Sequence, residues 1–315
     1  MKIKIFKKYG IEGGGEVYAN QLYEILREKH SVKKVEGNIS CYFEILASKS
    51  SDKLIINITN IFDFFLLSLC IIFRKSFYPL VHIDASWRSF KSRFLFAFMR
   101  FNLIRSNKIL FISEHQCYDF KIFDNFHNVG SIINKSFIQS NPKKYYQRDF
   151  DIGYFSRFAE EKGCYDFLNS LSEISKRMSV IIVGDINIKN ENLINKKLFN
   201  HDVKILQKMN SFEIAKLLCN TKLVVQPSYS DTRSLLTQEA LCCGSNVVAY
   251  DISSAKELAK EFNISLIKAG DLVGLSKFIE NKIASSSDSD NEYNSVKKNY
   301  KKSSFYLRLI KAIEK

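Results

Sequence analysis

The sequence is poor in the features that mark disulfide-rich or zinc-bound folds. Its seven cysteines are an odd number, and no two of them stand at C-x-x-C or zinc-knuckle spacing. Such a pattern favours free thiols in a reducing cytosol over a disulfide framework or a metal site. The hydrophobic content of 46% is typical of a globular protein and not of a disordered one. At 315 residues the chain has room for two domains with separate cores.

Long hydrophobic runs are also absent. Four lysines within the first eight residues interrupt any apolar run there, so no cleavable signal peptide is expected. The longest apolar stretch, Leu54 to Phe73, contains two asparagines and Asp63. Burying that aspartate in a bilayer would cost about 2.5–3.5 kcal/mol. The stretch is therefore predicted to form a strand, Leu54–Ile58, followed by a core helix, Phe62–Arg74.

The charge of the chain is strongly unbalanced, with 47 Lys and Arg against 33 Asp and Glu and a net charge of +14. Basic proteins with many aromatic residues can bind nucleic acid through its phosphates. However, the sequence has no zinc-finger spacing, no RNP-like aromatic strand and no basic zipper. A nucleic-acid-binding protein therefore remains an alternative, but no nucleic-acid partner is expected.

The positive charge is concentrated in two segments. Six cations, among them Arg88, Lys91 and Arg93, alternate with aromatic residues between Trp87 and Lys108. The pattern fits a helix in the interface of an anionic membrane, and it fits equally an amphipathic core helix with a solvated basic face. The second segment, Lys297 to Lys315, has seven cations and an apolar residue at every fourth position from Phe305. We expect it to form a helix packed on the body, and we expect peripheral, salt-sensitive association with the inner face of the cytoplasmic membrane.

Two carboxylates, Asp231 and Glu239, enclose a Thr/Ser-rich turn and the start of an apolar helix. A β-branched run ends at Pro227, and the helix that begins near Ser234 is predicted to stop at Gly244. Its free N–H groups, from Thr232 to Leu235, could hold a diphosphate, while the carboxylates could accept hydrogen bonds from sugar hydroxyls. The same pattern fits a helix capped by an aspartate with a glutamate at its buried edge.

A second loop carries two cations. The segment Ile152 to Ser156 is predicted as a strand, and the polar turn after it contains Arg157 and Lys162 before the next helix. Charge accumulates on the leaving oxygens when a glycosidic bond to a diphosphate breaks, and two nearby cations would stabilise it. Since surface Arg and Lys are common, the pair alone is weak support for such a site.

From Asp151 to about Ile279 the chain resembles the nucleotide-binding half of the retaining GT-B glycosyltransferases of glycosyltransferase family 4. The Arg, four residues, Lys-Gly pattern of the family is similar to Ser156–Gly163, and its strand ending in Val-Gly-Asp is similar to Ile181–Asp185. Its Pro-Ser, acid, seven residues, Glu-Ala, Gly pattern is similar to Pro227–Gly244. These motifs follow each other in the order and spacing of the family.

The N-terminal half resembles the family less fully. Lys2 to Phe6 is predicted as a strand, Gly13 to Gly15 as a loop and Glu16 to Lys29 as a helix. In the family this glycine loop lets the backbone approach donor and acceptor, which implies that Gly14 and Gly15 contact the nucleotide sugar. Leu80 to Ser86 is predicted as a strand, with His82 and Asp84 on one side of it. The family commonly has a histidine near the transferred sugar here, and the match leaves either His82 or Asp84 in that position.

The resemblance implies an α/β protein of the GT-B class, in which two Rossmann-like αβα domains face each other across a cleft. Residues 1–140 would form the acceptor-side domain and 148–290 the nucleotide-sugar domain, with a linker from Gln139 to Lys144. Residues 291–315 would form a basic terminal helix that crosses back to the first domain. The alternating strands and helices also predict parallel sheets with ligands at the carboxyl ends of the strands.

The resemblance further implies transfer of a hexose or deoxyhexose with retention from a nucleoside-diphosphate sugar, without a metal ion or other cofactor. The acceptor would be a lipid-linked glycan or lipopolysaccharide, in O-antigen, capsule or lipopolysaccharide synthesis. Asp84 or His82 would lie beside the reacting carbon, and Asp231 would contact the sugar. The other implied donor-binding residues are Gly14, Gly15, Arg157, Lys162, Arg233, Ser234, Leu235 and Glu239.

Two positions depart from the family pattern. The first acid of the pair is usually glutamate and is Asp231 here, and the glycine that usually follows is replaced by Thr232-Arg233. The shorter acid fits either a different donor sugar or weakened catalysis, and Arg233 could join the cations around the diphosphate. A non-catalytic GT-B binding protein is therefore the alternative function.

Overall fold

The computed structural model describes residues 1–7, 14–61, 63–83, 93–285, 293–300 and 302–314. The chain divides into two compact units. The first unit contains residues 1–132 and 301–315, and the second contains residues 133–300. The predicted linker, Gln139 to Lys144, therefore lies inside the second unit, and the predicted terminal segment is divided between the two.

Strands and helices alternate along the described residues, as the sequence predicts. The strands are β1 (Lys2–Lys7), β2 (Ser31–Glu36), β3 (Lys53–Ile58), β4 (Phe77–Val81), β5 (Ile109–Phe111), β6 (Phe126–Asn128), β7 (Phe150–Phe155), β8 (Ser179–Gly184), β9 (Asp202–Gln207), β10 (Thr221–Gln226), β11 (Asn246–Tyr250) and β12 (Ser265–Ile267). The helices are α1 (Gly14–Leu26), α2 (Asn38–Ala47), α3 (Asp63–Ile72), α4 (Arg93–Ile104), α5 (His115–Asp119), α6 (Lys135–Ile138), α7 (Cys164–Ser172), α8 (Ile188–Lys197), α9 (Ser211–Leu218), α10 (Leu235–Cys242), α11 (Ser253–Glu261), α12 (Leu272–Ala284), α13 (Tyr293–Asn299) and α14 (Lys302–Ile313).

The first unit is built on a parallel sheet with the strand order β2-β1-β3-β4-β5-β6. β3 is a nearly continuous apolar run because both of its faces are covered, as in parallel sheets generally. One core packs α2, α3 and α4 on the sheet, and the other packs α1 and α14. The chain reverses its direction of travel across the sheet between β1 and β3, which creates a switch point there.

The second unit repeats this architecture with the strand order β12-β11-β10-β7-β8-β9, again all parallel. The chain first adds β8 and β9 on one side of β7 and then adds β10 to β12 on the other. Its switch point therefore lies between β7 and β10, which are hydrogen-bonded neighbours. Ligands of open parallel sheets bind outside the carboxyl ends of the strands at such points.

One predicted strand of the first unit is wrong at its end. β4 stops at Val81 and does not extend to Ser86, because its neighbour β3 ends at Ile58, the register partner of Val81. His82 follows the strand, with its backbone N–H donating to the carbonyl of Ile58 at 2.8 Å. The predicted alternation of His82 with Asp84 therefore has no strand to support it, and Asp84 lies outside the described residues.

Both basic segments contain helices where the structure describes them. α4 begins at Arg93, and the part of the segment before it, including Arg88 and Lys91, lies outside the described residues. The apolar residues of α14 at every fourth position, Phe305, Leu309 and Ile313, are buried in the first unit as predicted. Where the structure describes the chain, no helix is both long and apolar enough to cross a bilayer. All seven cysteines lie within the described residues and are buried, and none of them is joined in a disulfide.

Candidate functional site

The loops after β7 and β10 lie side by side at the switch point of the second unit, because these two strands are neighbours in the sheet. Both predicted motifs of this unit stand on these loops: Arg157 and Lys162 after β7, and Asp231 after β10. Parallel strand order alone therefore brings together two loops that are about seventy residues apart in sequence.

Two glycines allow the loops to approach each other closely. Gly163 has a φ of 66°, in the left-handed region, and a Cβ there would collide with the carbonyl oxygen of Pro227. Gly184, at the end of β8, lies in the same way against the carbonyl oxygen of Ser156. Both glycines of the sequence motifs are thus required by packing around the switch point.

Lys162 connects the two loops. Its Nζ lies 3.2 Å from Asp231 Oδ2 and donates to the carbonyl of Ser230 at 3.1 Å. The backbone N–H of Tyr229 in turn donates to the carbonyl of Glu161 at 3.0 Å. The ion pair is partly buried, so solvent screens it less than an exposed pair. The two loops are therefore fixed to each other through the residues that the sequence selects.

Arg157 lies at the exposed edge of the same loop. Its Nη2 is 3.0 Å from Glu161 Oε1, and the arginine side chain is 59% exposed. An exposed pair of this kind contributes at most about 1 kcal/mol. A doubly charged anion could therefore recruit the guanidinium at little energetic cost.

The helix after the second loop has a side-chain cap. Ser234 is the N-cap of α10, and its Oγ accepts from the backbone N–H of Thr237 at 3.1 Å. Leu235 is the first residue of the helix, so its N–H has no acceptor within the helix. The prediction of a helix start next to Asp231 is therefore confirmed.

Gln226 is a central residue of this loop that the sequence interpretation missed. Its Nε2 lies 3.3 Å from Asp231 Oδ2 and also donates to Ser234 Oγ. Its Oε1 accepts from Thr237 Oγ1 at 2.6 Å. The amide holds the carboxylate and the helix cap in one network. The available signal was an amide residue directly after the apolar run Leu223–Val225, at the end of β10.

Arg233 occupies a different position from the predicted one. Its guanidinium is buried and binds Glu257 Oε1 at 2.8 Å and Glu261 at 2.8 and 2.9 Å. Both partners lie on α11, and their charges raise the pKa of the arginine in spite of its burial. Arg233 therefore ties the loop to α11, in place of the predicted contact with a diphosphate. These partners could not be predicted from the motif around Asp231, because α11 is a separate element.

Glu239 lies in the second turn of α10 and is half-buried. Among the described residues no group hydrogen-bonds to its carboxylate, and burial raises its pKa to about 7. A buried carboxylate without a partner is costly unless a ligand supplies donors. Carboxyl groups whose pKa is raised by burial occur at functional sites.

The predicted residues of the first unit gather at its own switch point. A Cβ at Gly15 would lie 2.7 Å from Thr59 Cγ2 and 3.4 Å from His82 Cγ, so the start of α1 packs directly against the histidine. His82 Nε2 lies 3.3 Å from Asn57 Oδ1, and burial lowers the pKa of the imidazole to about 4. α1 begins at Gly14, earlier than predicted. Gly15 and His82 are thus neighbours, and His82 is neutral at physiological pH.

The structure thus brings the predicted residues into two groups, one in each unit. In the second unit Lys162, Asp231 and Ser234 share one network with Gln226, while Arg157 lies on the same loop. Within the residues that the structure describes, no three His, Cys, Asp or Glu side chains form a group suited to a metal ion.

Comparisons with known proteins agree with this geometry. HepE from Anabaena, solved with UDP, superposes with a TM-score of 0.82 at 15% identity, covering 100% of both chains. The apo lipopolysaccharide outer core galactosyltransferase WaaB superposes with a TM-score of 0.71 at 12% identity, covering 100% of this chain and 99% of its own. These likenesses show that the fold is GT-B, as predicted. A search of curated protein sequences found no match.

The sequence of the second unit identifies the family. Residues 136–303 match the family described as Glycosyl transferases group 1. The match contains β7 to β12 together with Arg157, Lys162, Asp231 and Glu239. Because it spans more than half of the chain and includes both loops of the candidate site, the chain belongs to the group 1 glycosyl transferases.

Proposed function

We propose that the protein transfers a sugar, with retention of anomeric configuration, from a nucleoside-diphosphate sugar to a glycan acceptor. The observation that carries the proposal is the contact of Lys162 with Asp231 at the switch point of the second unit, next to the start of α10. A cation, a carboxylate and free helix N–H groups lie together there, which supports the proposal because ligands of parallel sheets bind at switch points.

Lys162 and Arg157 neutralise the departing diphosphate in this proposal. Both lie on the loop after β7, and among the described residues the exposed Arg157 side chain has a single ion pair, with Glu161, to give up. Preorganised charges of this kind stabilise the negative charge that develops as the bond to the sugar breaks. They supply the charge that a divalent ion supplies in other enzymes, so we propose that transfer is metal-independent.

Glu239 and Asp231 recognise hydroxyl groups in this proposal. Glu239 accepts from the ribose hydroxyls, which provide the partners that its half-buried carboxylate lacks among the described residues. Asp231 binds the transferred sugar and is held in place by Lys162 and Gln226. The start of α10, at Ser234 and Leu235, binds the diphosphate.

In the first unit, His82 or Asp84 lies beside the reacting carbon, and Gly14 and Gly15 allow the backbone to approach the nucleotide sugar. Burial keeps the His82 imidazole neutral at physiological pH. A neutral ring can donate or accept one hydrogen bond to a sugar hydroxyl without bringing a net charge to the reacting centre.

The structural neighbours support a uridine nucleotide and a hexose as the first donors to examine. HepE was solved with UDP and glucose and with UDP-glucose, and WaaB is named a galactosyltransferase. We extend this to a hexosyl- or deoxyhexosyltransferase whose acceptor is a lipid-linked or lipopolysaccharide glycan of O-antigen, capsule or lipopolysaccharide synthesis.

A lipid-linked acceptor requires contact with a membrane, and the first unit has a surface suited to it. Many apolar side chains on α2, α3 and α4 or directly after them point to solvent, where a soluble protein normally has polar residues. Phe43 is 68% exposed, Ile72 68% and Phe94 81%. The exposed apolar face consists of Ile39, Tyr42, Phe43, Leu46, Phe65, Ile72, Phe73, Phe94, Phe101 and Ile104.

The charges around this face are complementary to an anionic membrane. Arg93, Arg100 and Arg105 are exposed on α4 or directly after it, and Arg105 lies 3.7 Å from the ring centroid of Phe101. Among the described residues from 37 to 108 the acids are Glu44, Asp52 and Asp63, and each is bound by a lysine or by backbone N–H groups. We therefore propose peripheral binding to the inner face of the cytoplasmic membrane.

The proposal is tested by two measurements on the whole chain. A panel of nucleotide sugars is incubated with the protein and a lipid-linked glycan acceptor, and release of the nucleoside diphosphate is followed. Calorimetric titration with UDP measures donor binding separately. We expect binding and turnover with one sugar; binding without turnover for every donor and acceptor would favour the non-catalytic alternative. No binding of any nucleotide would contradict both.

A further inference from the structure

The first unit contains a cavity of about 400 Å³ at the amino ends of its central strands. Lys53 begins β3, Lys108 directly precedes β5, and His127 lies in β6. Lys311, which lies on the terminal helix α14, lines another side of the cavity. His82, by contrast, follows the carboxyl end of β4. The cavity therefore lies at the amino ends of the strands, whereas His82, which is proposed to act in transfer, lies at their carboxyl ends.

The groups around this cavity are positive. Three lysines and a histidine line it, and no acidic residue of the described ranges does. Within the described part of the chain, neither Lys108 nor Lys311 forms an ion pair. Burial and the charges of Lys311, Lys108 and Arg308 lower the pKa of His127, although a hydrogen bond with the backbone of Arg308 acts in the opposite direction. Converging cations without a partner are unfavourable unless an anion joins them.

His127 adds a directed donor or acceptor. Its Nε2 atom is buried and has no hydrogen-bond partner among the described residues. Buried polar atoms are nearly always paired in folded proteins, so this ring nitrogen beside two lysines is available to hydrogen-bond a ligand. As an imidazolium the ring donates from both nitrogens, so that it can bind the backbone of Arg308 and donate from Nε2 to an anion, as the lysines do.

The walls of the cavity are fixed by hydrogen bonds. The Tyr78 hydroxyl donates to the carbonyl of Ile313 at 3.2 Å and accepts from Lys53 Nζ at 3.1 Å. The Asn107 side chain accepts from the backbone N–H of Phe77 at 2.8 Å. These contacts join α14 to the amino ends of the strands. A ligand held between Lys108 and Lys311 would therefore link the terminal helix to the sheet a second time.

We propose that this cavity binds a phosphate group, held by Lys108, Lys311 and the Nε2 of His127. Its volume lies in the range of small-molecule pockets and suits a phosphate with a small attached group. The phosphate comes either from a soluble phosphorylated compound or from a lipid headgroup. The site is distinct from the diphosphate site of the second unit and does not depend on the proposed transfer reaction.

Binding is measured with inorganic phosphate at constant ionic strength, by following the ring signals of isotopically labelled histidines in the full chain. We expect the His127 signals to shift and its pKa to rise, because a bound anion favours the imidazolium. The double variant Lys108→Gln with Lys311→Gln should bind phosphate at least about tenfold more weakly, since it loses two charge-assisted hydrogen bonds. The matched control, Lys196→Gln with Lys277→Gln, removes two exposed lysines of the second unit and should bind as the wild type does.

Lys162→Ala distinguishes the cavity from the proposed diphosphate site of the second unit. This substitution should leave the change of the His127 signals with phosphate as it is in the wild type, because Lys162 lies in the second unit. Flotation with vesicles of phosphatidic acid or phosphatidylcholine then identifies the source of the phosphate. Weaker flotation of the lysine double variant on phosphatidic acid, with competition by inorganic phosphate, identifies a lipid headgroup. A His127 response without such an effect on flotation identifies a soluble compound. Unchanged His127 signals, or equal phosphate affinity in the double variant, would overturn the proposal.

Discussion

The two units share one architecture but use charge differently. Each is a six-stranded parallel sheet with a switch point beside its first strand. In the second unit the cations of the candidate site bind carboxylates: Lys162 contacts Asp231, and Arg157 contacts Glu161. In the first unit, Lys108 and Lys311 line a cavity to which no described acidic residue contributes, and aromatic residues point to solvent.

This difference reflects two ways of binding an anion. A site whose cations are paired in the free protein has its loops already in position, and a ligand replaces or shares the existing partners. A surface with unpaired cations attracts anions over a longer range but fixes their position less closely. The first arrangement suits a reacting diphosphate, and the second suits a membrane or a phosphate group that only has to be held.

The largest expected effect concerns the paired site. Lys162→Ala should lower turnover by about 10²–10³, because a preorganised charge next to the leaving group is lost. Arg157→Ala should also lower turnover strongly while the fold survives. Steady-state kinetics with the identified donor provide the measurement, and Lys189→Ala, an exposed lysine of α8, is the control. Near-normal turnover in both variants would contradict the proposal that the paired cations of the second unit stabilise the departing diphosphate.

Substitution of Arg233 tests whether a cation of the second unit stabilises the fold without contributing to donor binding. Arg233→Ala should lower the free energy of unfolding by about 3 kcal/mol, because it leaves Glu257 and Glu261 without their buried partner. Thermal and denaturant unfolding measure the loss. Arg157→Ala, which breaks an exposed pair, should change stability by at most about 1 kcal/mol. If Arg233→Ala instead weakened UDP binding and left Tm unchanged, its assignment to the diphosphate would be restored.

Glu239 gives a smaller effect on binding, with a characteristic dependence on pH. Glu239→Gln should weaken UDP binding about 10–100-fold, the loss expected for hydrogen bonds to a charged group. The pKa in the fold is raised from 4.5 to about 7, so the stability of the unliganded protein falls as pH rises from 4.5 through 7. The variant should therefore melt no lower than the wild type at pH 8.

UDP affinity of the wild type should in turn rise between pH 6 and 8, as the carboxylate ionises and can accept from the ribose. Calorimetric titrations across this range measure it, with Glu239→Gln as the variant that should lose the dependence. A variant that is less stable at every pH and binds UDP normally would make Glu239 a structural residue.

The smallest effect concerns single cations of the first unit. Each cation near an anionic leaflet contributes about 1 kcal/mol, so Arg93→Gln should lower membrane partitioning about fivefold. Liposome flotation with and without anionic lipid measures it, with Lys196→Gln as the control in the second unit. Equal flotation on neutral vesicles, or none on anionic ones, would show that the exposed cations of the first unit serve another purpose.

Local signals in the second unit were sufficient to predict much of the site. The strands before Arg157 and Asp231, the helix start at Ser234 and the two motif glycines all follow from short-range patterns, because turns and caps depend on neighbouring residues. Gln226 and the partners of Arg233 were missed, since their roles depend on contacts across 5 to 28 positions of the sequence. In the first unit, the predicted extension of β4 to Ser86 was wrong. The strand stops at Val81 because its neighbour β3 stops at Ile58, and the end of a neighbouring strand is not a local property of the sequence.

The sequence by itself determined the alternation of strands and helices, the parallel sheets and the motif loops, because hydrophobic period and turn chemistry are local properties. Only the tertiary structure decided which charges meet. It pairs Lys162 with Asp231 and Arg233 with α11, and it gathers Lys108, His127 and Lys311 around one cavity. The reason is physical: the order of strands in a sheet brings distant loops together, and the spacing of residues along the chain does not contain that order.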